Sequence, residues 1–295
     1  MALDMKAVGR RLGPLTLTYG WKDVALYALG VGAGFAEIDY CYEKAIKVIP
    51  TFAAAALGDF TSLIAGVSGF DPAGVLHGEQ EFVFHRPIPA EGTLITQGAI
   101  VRCHDKGRDR GALVVAEFDS RPPGGSALFT SVVTMFARRD GGFGGPDAPK
   151  HPLPFPNRPP DAAVSAAPAV DLPLIYRLSG DTFALHADTD AARAAGFERP
   201  IMHGLCTLGH ACRALVDRLS PGFPERVRRI ACRFTHPLYA GTPITTLIWS
   251  CSEGRALWRV ARASDGAVVI DRGIFEFGDA VTDGSIPSSD RTAAP

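Results

Sequence analysis

The sequence predicts an α+β fold made of two tandem repeats, each a long central helix wrapped by an antiparallel sheet. Three observations lead there. Segments recur in the same order at an offset of 149 or 150 residues. Each copy carries one helix-like apolar run followed by four strand-like stretches with turn signals between them. The length, 295 residues, is too great for one typical domain and suits two of ordinary size.

The recurrence begins with Tyr27-Ala28-Leu29-Gly30, which resembles Tyr176-Arg177-Leu178-Ser179 at an offset of 149. Pro50 precedes Thr51-Phe52-Ala53 as Pro200 precedes Ile201-Met202-His203, an offset of 150. Phe84-His85-Arg86-Pro87 resembles Phe234-Thr235-His236-Pro237 at the same offset, and each runs on into Gly-Thr, at Gly92-Thr93 and Gly241-Thr242. Three ordered matches at nearly one spacing indicate a duplicated unit of roughly 130 residues.

In the first copy the helix-like run spans 51–66, and strand-like stretches follow at 79–86, 94–104, 111–119 and 127–138. In the second the helix spans 202–219, where Leu205, Leu208, Cys212, Leu215, Val216 and Leu219 fall at helical spacing and bury one broad face. Its strands are expected at 227–236, 243–250, 256–263 and 267–277, with turns at Ala240-Gly241, Ser252-Glu253-Gly254 and Ser264-Asp265-Gly266. Placed side by side, the two units could share one continuous sheet. The chain then divides into an N-terminal repeat (1–140), a Pro/Gly/Ala-rich linker (141–173), a C-terminal repeat (174–280) and a tail (281–295) expected to be disordered.

Composition narrows the function. The hydrophobic fraction is 46% and the charged fraction 21%, with no apolar stretch long enough to span a bilayer. The net charge of −1 and scattered basic residues point to neither nucleic acid nor a membrane surface. The N-terminus lacks a secretory apolar core and the C-terminus lacks a targeting tripeptide, so a cytoplasmic protein is expected. The six cysteines form no CxxC pair and no His-Cys cluster; Cys206 and Cys212 read as small buried hydrophobes, and no metal and no cofactor are expected.

The chemistry concentrates in the second copy. Asp181 and His186 are five apart across an apolar hinge in Ser179-Gly180-Asp181-Thr182-Phe183-Ala184-Leu185-His186, so a turn could bring carboxylate and imidazole to one point as an acid/base pair. The alternative is an Asp181 that caps a helix starting near Thr182, with His186 on its surface. Gly204, in Pro200-Ile201-Met202-His203-Gly204-Leu205, opens the buried helix; its free N–H at the positive end of the helix dipole is an oxyanion site, or the glycine only permits close packing. His203 sits beside that apolar face. By the offsets, Asp181 corresponds to Gly32, His186 to Glu37 and Gly204 to Ala54, so the first copy keeps the scaffold without the polar set. Gly30-Val31-Gly32-Ala33-Gly34 imitates a dinucleotide loop, but Phe35 follows it and no strand precedes it.

These segments resemble the (R)-specific enoyl-CoA hydratases of the MaoC-like, hydratase 2 family, a double hot-dog family that includes the hydratase domain of peroxisomal multifunctional enzyme type 2. The resemblance covers most of 10–278 and is strongest at 176–186, 195–207 and 233–237, with first-half matches at Val48-Ile49-Pro50-Thr51-Phe52 and Leu76-His77-Gly78-Glu79-Gln80. It implies interconversion of trans-2-enoyl-CoA and (3R)-3-hydroxyacyl-CoA without cofactor. Asp181 and His186 would hold the water, and the Gly204 N–H would bind the thioester oxygen. His77, Gly78, Lys106, Phe183, His203 and Phe234 would contact the acyl-CoA, with Lys106 placed for the CoA phosphates. The N-terminal repeat would be non-catalytic and house the acyl chain, the carrier would be CoA or an acyl carrier protein, and the protein would be a homodimer.

One departure stands at the centre. The family signature Asp-x-Asn-Pro-x-His reads Asp181-Thr182-Phe183-Ala184-Leu185-His186 here, so Phe183 and Ala184 replace a positioning amide and a stiffening proline. Two further readings follow from it: a divergent enzyme using the same pair for isomerisation, thioester hydrolysis or intramolecular addition, or a non-catalytic acyl-CoA-binding protein.

Overall fold

The computed structural model describes residues 3, 5–71, 74–149 and 155–279; the tail expected at 281–295 lies outside them. Ten strands form one sheet: β1 (Arg11–Tyr19), β2 (Val75–Phe84), β3 (Gly92–Asp105), β4 (Ala112–Arg121), β5 (Phe129–Ala137), β6 (Ala162–Ala166), β7 (Val227–Phe234), β8 (Ile244–Ser252), β9 (Arg255–Arg262) and β10 (Val268–Phe277). Their spatial order is β1-β3-β4-β5-β2-β7-β10-β9-β8-β6. Exchanging each strand for its counterpart in the other repeat reverses this order and leaves it unchanged, which is the mark of a pseudo-two-fold. The duplication read from the offsets is therefore a continuous sheet with its seam at β2–β7.

Alternation at that seam explains why the repeats fuse. Gln80 pairs with Cys232 and Phe82 with Ile230, and all four side chains are buried. On the opposite face Arg229 meets Glu81 at 2.7 Å and Arg233 pairs with Glu79. A period of two thus puts buried, uncharged groups on one side and paired charges on the other.

Two strands were not expected. β1 contains Pro14, which argues against a central strand, but β1 is an edge strand and its register breaks between Leu12 and Leu15. β6 lies inside the stretch read as a linker; its run Ala-Ala-Val-Ser-Ala forms the opposite edge by pairing with β8. With five small residues, β6 carries too little hydrophobic alternation to stand out in sequence.

The helical layer is asymmetric. In the second repeat α5 (Gly204–Leu219) is one 16-residue helix burying Leu205, Leu208, Cys212, Leu215 and Val216 against the sheet. The first repeat does not hold the continuous helix expected at 51–66. It has a 3-10 segment, Pro50–Leu57, and then α2 (Phe60–Ser68), bent by 50°. Gly58 at φ +50° breaks the run, and the Asp59 carboxylate accepts the Ser62 N–H at 3.0 Å to start the new helix. Among the described residues no single helix is long and apolar enough to cross a membrane. The other α-helices among the described residues are α1 (Trp21–Gly30), α3 (Leu172–Tyr176) and α4 (Thr189–Ala194). The repeated Tyr27 and Tyr176 meet across the pseudo-axis with ring centroids 5.8 Å apart, and a Cβ on Gly30 would lie 3.1 Å from Tyr176 Cα. The Gly-rich run at 30–34 follows helix α1 rather than a strand, so it is no dinucleotide loop. No cysteine is in a disulfide; Cys206 and Cys212 are buried in the core as expected.

Candidate active site

The loop that bears Asp181 and His186 is shaped from both ends. A 3-10 turn, Arg177–Ser179, follows α3, and Gly180 turns the chain at φ +122°, where a Cβ would sit 3.6 Å from Ala55 O of the first repeat. At the far end Leu185 is buried with Ala192 and Ile201, and Asp188 caps α4 by accepting the Asp190 and Ala191 N–H groups. Between them a second 3-10 turn, Ala184–His186, presents the imidazole.

No helix begins at Thr182, so Asp181 is not a helix cap. Its Oδ1 accepts the Phe183 N–H at 3.3 Å, a local turn that leaves the second carboxylate oxygen free of any protein partner among the described residues. His186 Nδ1 lies 2.8 Å from Ile201 O. A carbonyl only accepts, so Nδ1 carries the proton and the lone pair sits on Nε2. Burial raises the Asp181 pKa, opposed by His186; burial lowers that of His186, opposed by Asp181. Desolvation thus favours a neutral imidazole and weakens the acid, which narrows the gap across which a proton moves between them. Asp59, at the break in the first repeat's helix, raises Asp181 further.

His203 is the residue the sequence undervalued. It is 1% exposed, stacks on His186 with ring centroids 3.8 Å apart, and packs its other neighbour, Tyr176, at 4.8 Å. Its Nε2 donates to the backbone carbonyl of Asp181 at 3.2 Å, so one side chain holds the imidazole by its face and the acid by its main chain. One donor atom each from Asp181, His186 and His203 lies within 4.8 Å of the other two, a cluster that could hold a metal ion. Spacing alone hides it, because 181, 186 and 203 come from separate segments.

Gly204 follows directly as the first residue of α5, and its N–H has no hydrogen-bond partner among the described residues. Two features meet at this glycine. The amide is free at the helix N-terminus, and a Cβ would stand 3.0 Å from Cδ1 and Cε1 of Phe234, so helix and strand also pack closely there.

From Gly204 a continuous wall runs outward. Phe234 meets the His77 ring at 5.0 Å, and His77 meets Phe60 at 5.1 Å. Gly78 forms the bulge in β2 where register shifts between His77 and Glu79; a Cβ there would lie 3.6 Å from Phe136 Cβ. Lys106 Nζ sits 4.5 Å above the Phe136 ring. His77, Gly78, Lys106 and Phe234 are thus joined through contacts to Gly204. Phe183 is 41% exposed and meets the His186 ring edge-on at 6.2 Å. Two surface cavities, about 230 and 470 Å³, lie near Pro87 and include none of these residues.

The first repeat's counterparts are blocked. A Cβ at Gly32 would fall 2.3 Å from the His210 ring, leaving no room for an acid. Glu37, the counterpart of His186, is bound by Arg213, whose Nη1 also donates to Val31 O at 2.8 Å.

Residues 17–139 match the MFE-2 hydratase 2 N-terminal domain and 154–263 the MaoC-like domain. The 3-hydroxyacyl-thioester dehydratase Y of Mycobacterium tuberculosis is 39% identical over 288 residues, covering 94% of this chain and 99% of that protein. A probable enoyl-CoA hydratase 2 of Dictyostelium discoideum is 35% identical, covering 93% and 96%. Among solved structures, a MaoC-like dehydratase from Phytophthora capsici superposes with TM-score 0.82 at 28% identity, covering 94% of this chain and 98% of its own. Full-length peroxisomal multifunctional enzyme type 2 from Drosophila melanogaster gives 0.78 at 31%, covering 91% of this chain and 48% of that one. A Mycobacterium tuberculosis protein described as having a double hotdog fold, 18% identical with TM-score 0.58, shares the fold.

Proposed function

Because the chain belongs to the MaoC-like dehydratase family, with a hydratase 2-type N-terminal half, we propose that it is a hydratase/dehydratase interconverting trans-2-enoyl-CoA and (3R)-3-hydroxyacyl-CoA at Asp181, His186 and Gly204. The observation that carries the assignment to these residues is the convergence of a weakened acid and a neutral imidazole of fixed tautomer beside a free helix-terminal amide.

In the forward direction water sits between Asp181 and His186. As its oxygen bonds to C3, the pair takes one of its protons, and the π electrons of the C2–C3 bond pass toward the thioester oxygen. The Gly204 N–H donates to that oxygen while it carries enolate character. The pair then returns a proton to C2, so it ends as it began. The thioester supplies the electron sink, and the residues supply position and proton transfer.

The wall from Phe234 through His77 and Gly78 to Lys106 supports an acyl-CoA path with the ammonium group at its outer end for a phosphate. The blocked positions Gly32 and Glu37 support a non-catalytic N-terminal repeat. The expected homodimer is checked by light scattering on the purified protein.

Purified protein incubated with crotonyl-CoA and longer trans-2-enoyl-CoAs should remove the conjugated thioester absorbance. Retained acyl-CoA binding with no turnover at any chain length would reject the assignment. Phe183 in the place of the family asparagine favours one second reading, a shifted substrate, because its ring adds an apolar edge beside His186.

A further inference from the structure

We propose that Asp181, His186 and His203 also form a binding site for a borderline divalent cation, Zn²⁺ foremost, which occupies the position of the catalytic water. Three observations carry this. One donor from each residue lies within 4.8 Å of the others. The hydrogen bonds of both imidazoles leave a lone pair on each: His186 gives its Nδ1 proton to Ile201 O, and His203 gives its Nε2 proton to Asp181 O. What remains on His203 is Nδ1, buried in a side chain only 1% exposed and without a hydrogen-bond partner among the described residues. An orphaned buried acceptor normally finds a ligand, a water or an ion.

Two neutral imidazoles and one carboxylate are the donor set of open zinc sites, with a fourth position left for solvent. Zinc–nitrogen and zinc–oxygen distances of about 2.0–2.2 Å would draw the donors to about 3.3 Å apart in a tetrahedron. The movement falls on Asp181, whose carboxylate is held only by the 3.3 Å contact from Phe183 N, and on the two rings, whose 3.8 Å stacking must open for both in-plane lone pairs to meet one ion. Harder ions are a poor match, because Mg²⁺ and Ca²⁺ prefer all-oxygen shells of higher coordination number. Occupancy would take both the Asp181 carboxylate and the His186 lone pair out of use, so the bound ion inhibits. The inhibitory consequence rests on the catalytic reading above; the binding itself does not.

The test is direct titration of the full chain with Zn²⁺ against a chromophoric chelator, and with Co²⁺ followed by its visible d–d bands. Uptake of one ion per chain with four-coordinate Co²⁺ bands is expected, with Mg²⁺ neither bound nor competing. Asp181→Asn and His203→Asn should each weaken Zn²⁺ binding at least tenfold, while Cys41→Ser/Cys251→Ser, which removes the accessible thiols, should bind as the wild type does. Zinc should then abolish enoyl-CoA hydration in proportion to occupancy. Absence of uptake at millimolar Zn²⁺, or equal affinity in the wild type, Asp181→Asn and His203→Asn, overturns the site. Asp181→Asn keeps the test sound if His203→Asn does not fold, since Asp181 is not part of the core. Turnover without zinc uptake would remove this site and leave the catalytic reading standing; zinc uptake by a protein that shows no turnover when metal-free would do the reverse.

Discussion

Replacing Gly204 by alanine separates its two roles. The new Cβ would stand 3.0 Å from Cδ1 and Cε1 of Phe234 and 3.3 Å from Cγ, against an ordinary contact of 3.4–4 Å. Phe234 must therefore retreat by about 0.5 Å, and His77 behind it, 5.0 Å ring to ring, gives it little room. Overpacking of this kind costs about 1–3 kcal/mol. Alanine is a better helix residue than glycine by up to about 1 kcal/mol, so the net loss of stability should be about 0–3 kcal/mol. Turnover should suffer far more, because a methyl group now lies on the approach to the amide; loss of one oxyanion donor typically costs about 10²–10³ in kcat. Urea unfolding gives the first quantity and crotonyl-CoA hydration the second. Gly204→Ala/Phe234→Leu should restore the stability but not the rate. A Gly204→Ala enzyme with kcat within about threefold of wild type would show that the glycine serves packing alone.

Removing the ring that braces both catalytic groups, in His203→Ala, should lower kcat for crotonyl-CoA about tenfold or more with little change in KM; a kcat within twofold would deny it a positioning role. Phe183→Asn keeps the backbone bond to Asp181, so the fold should hold while selectivity shifts. Loss of its exposed ring should move the kcat/KM ratio of long over short enoyl chains about tenfold toward short ones, and an unchanged ratio would refute an acyl-contact role. Burial lowers the pKa of His203 to about 2 and that of His210 to about 4. Below the ordinary histidine value of about 6.5 the unfolded chain takes up protons that the folded chain refuses. Stability is therefore full above that pH and lost as pH falls, by about 1.4 kcal/mol per unit for each imidazole. His210→Phe should remove one such contribution; equal differences between pH 7 and pH 5 unfolding in both proteins would contradict this.

Much of the fold was legible because its signals are periodic. The α5 stripe of Leu205, Leu208, Cys212 and Leu215 and the alternation at Phe82 and Ile230 each bury one face at the spacing the element dictates. The kink at Gly58-Asp59 was not, since an alanine-rich apolar run reads as helix until the φ of one glycine is known. The edge strand β6 escaped for want of bulky alternating residues, and in β1 Pro14 masked the alternation of Leu15, Leu17 and Tyr19. Asp181, His186 and Gly204 stood out as polar or small residues interrupting apolar patterns. The part played by His203 was hidden, because its contacts with Asp181 and His186 span 22 and 17 positions and exist only after the loop closes.

A double-mutant cycle on kcat tests most directly whether Asp181 and His186 work as one acid/base unit. Asp181→Asn and His186→Ala should each lower kcat for crotonyl-CoA about 10²–10⁴-fold in folded protein, and the double variant should fall no lower than the worse single one. Fully multiplicative losses, or either single variant within tenfold of wild type, would mean that the two groups do not share the proton transfer.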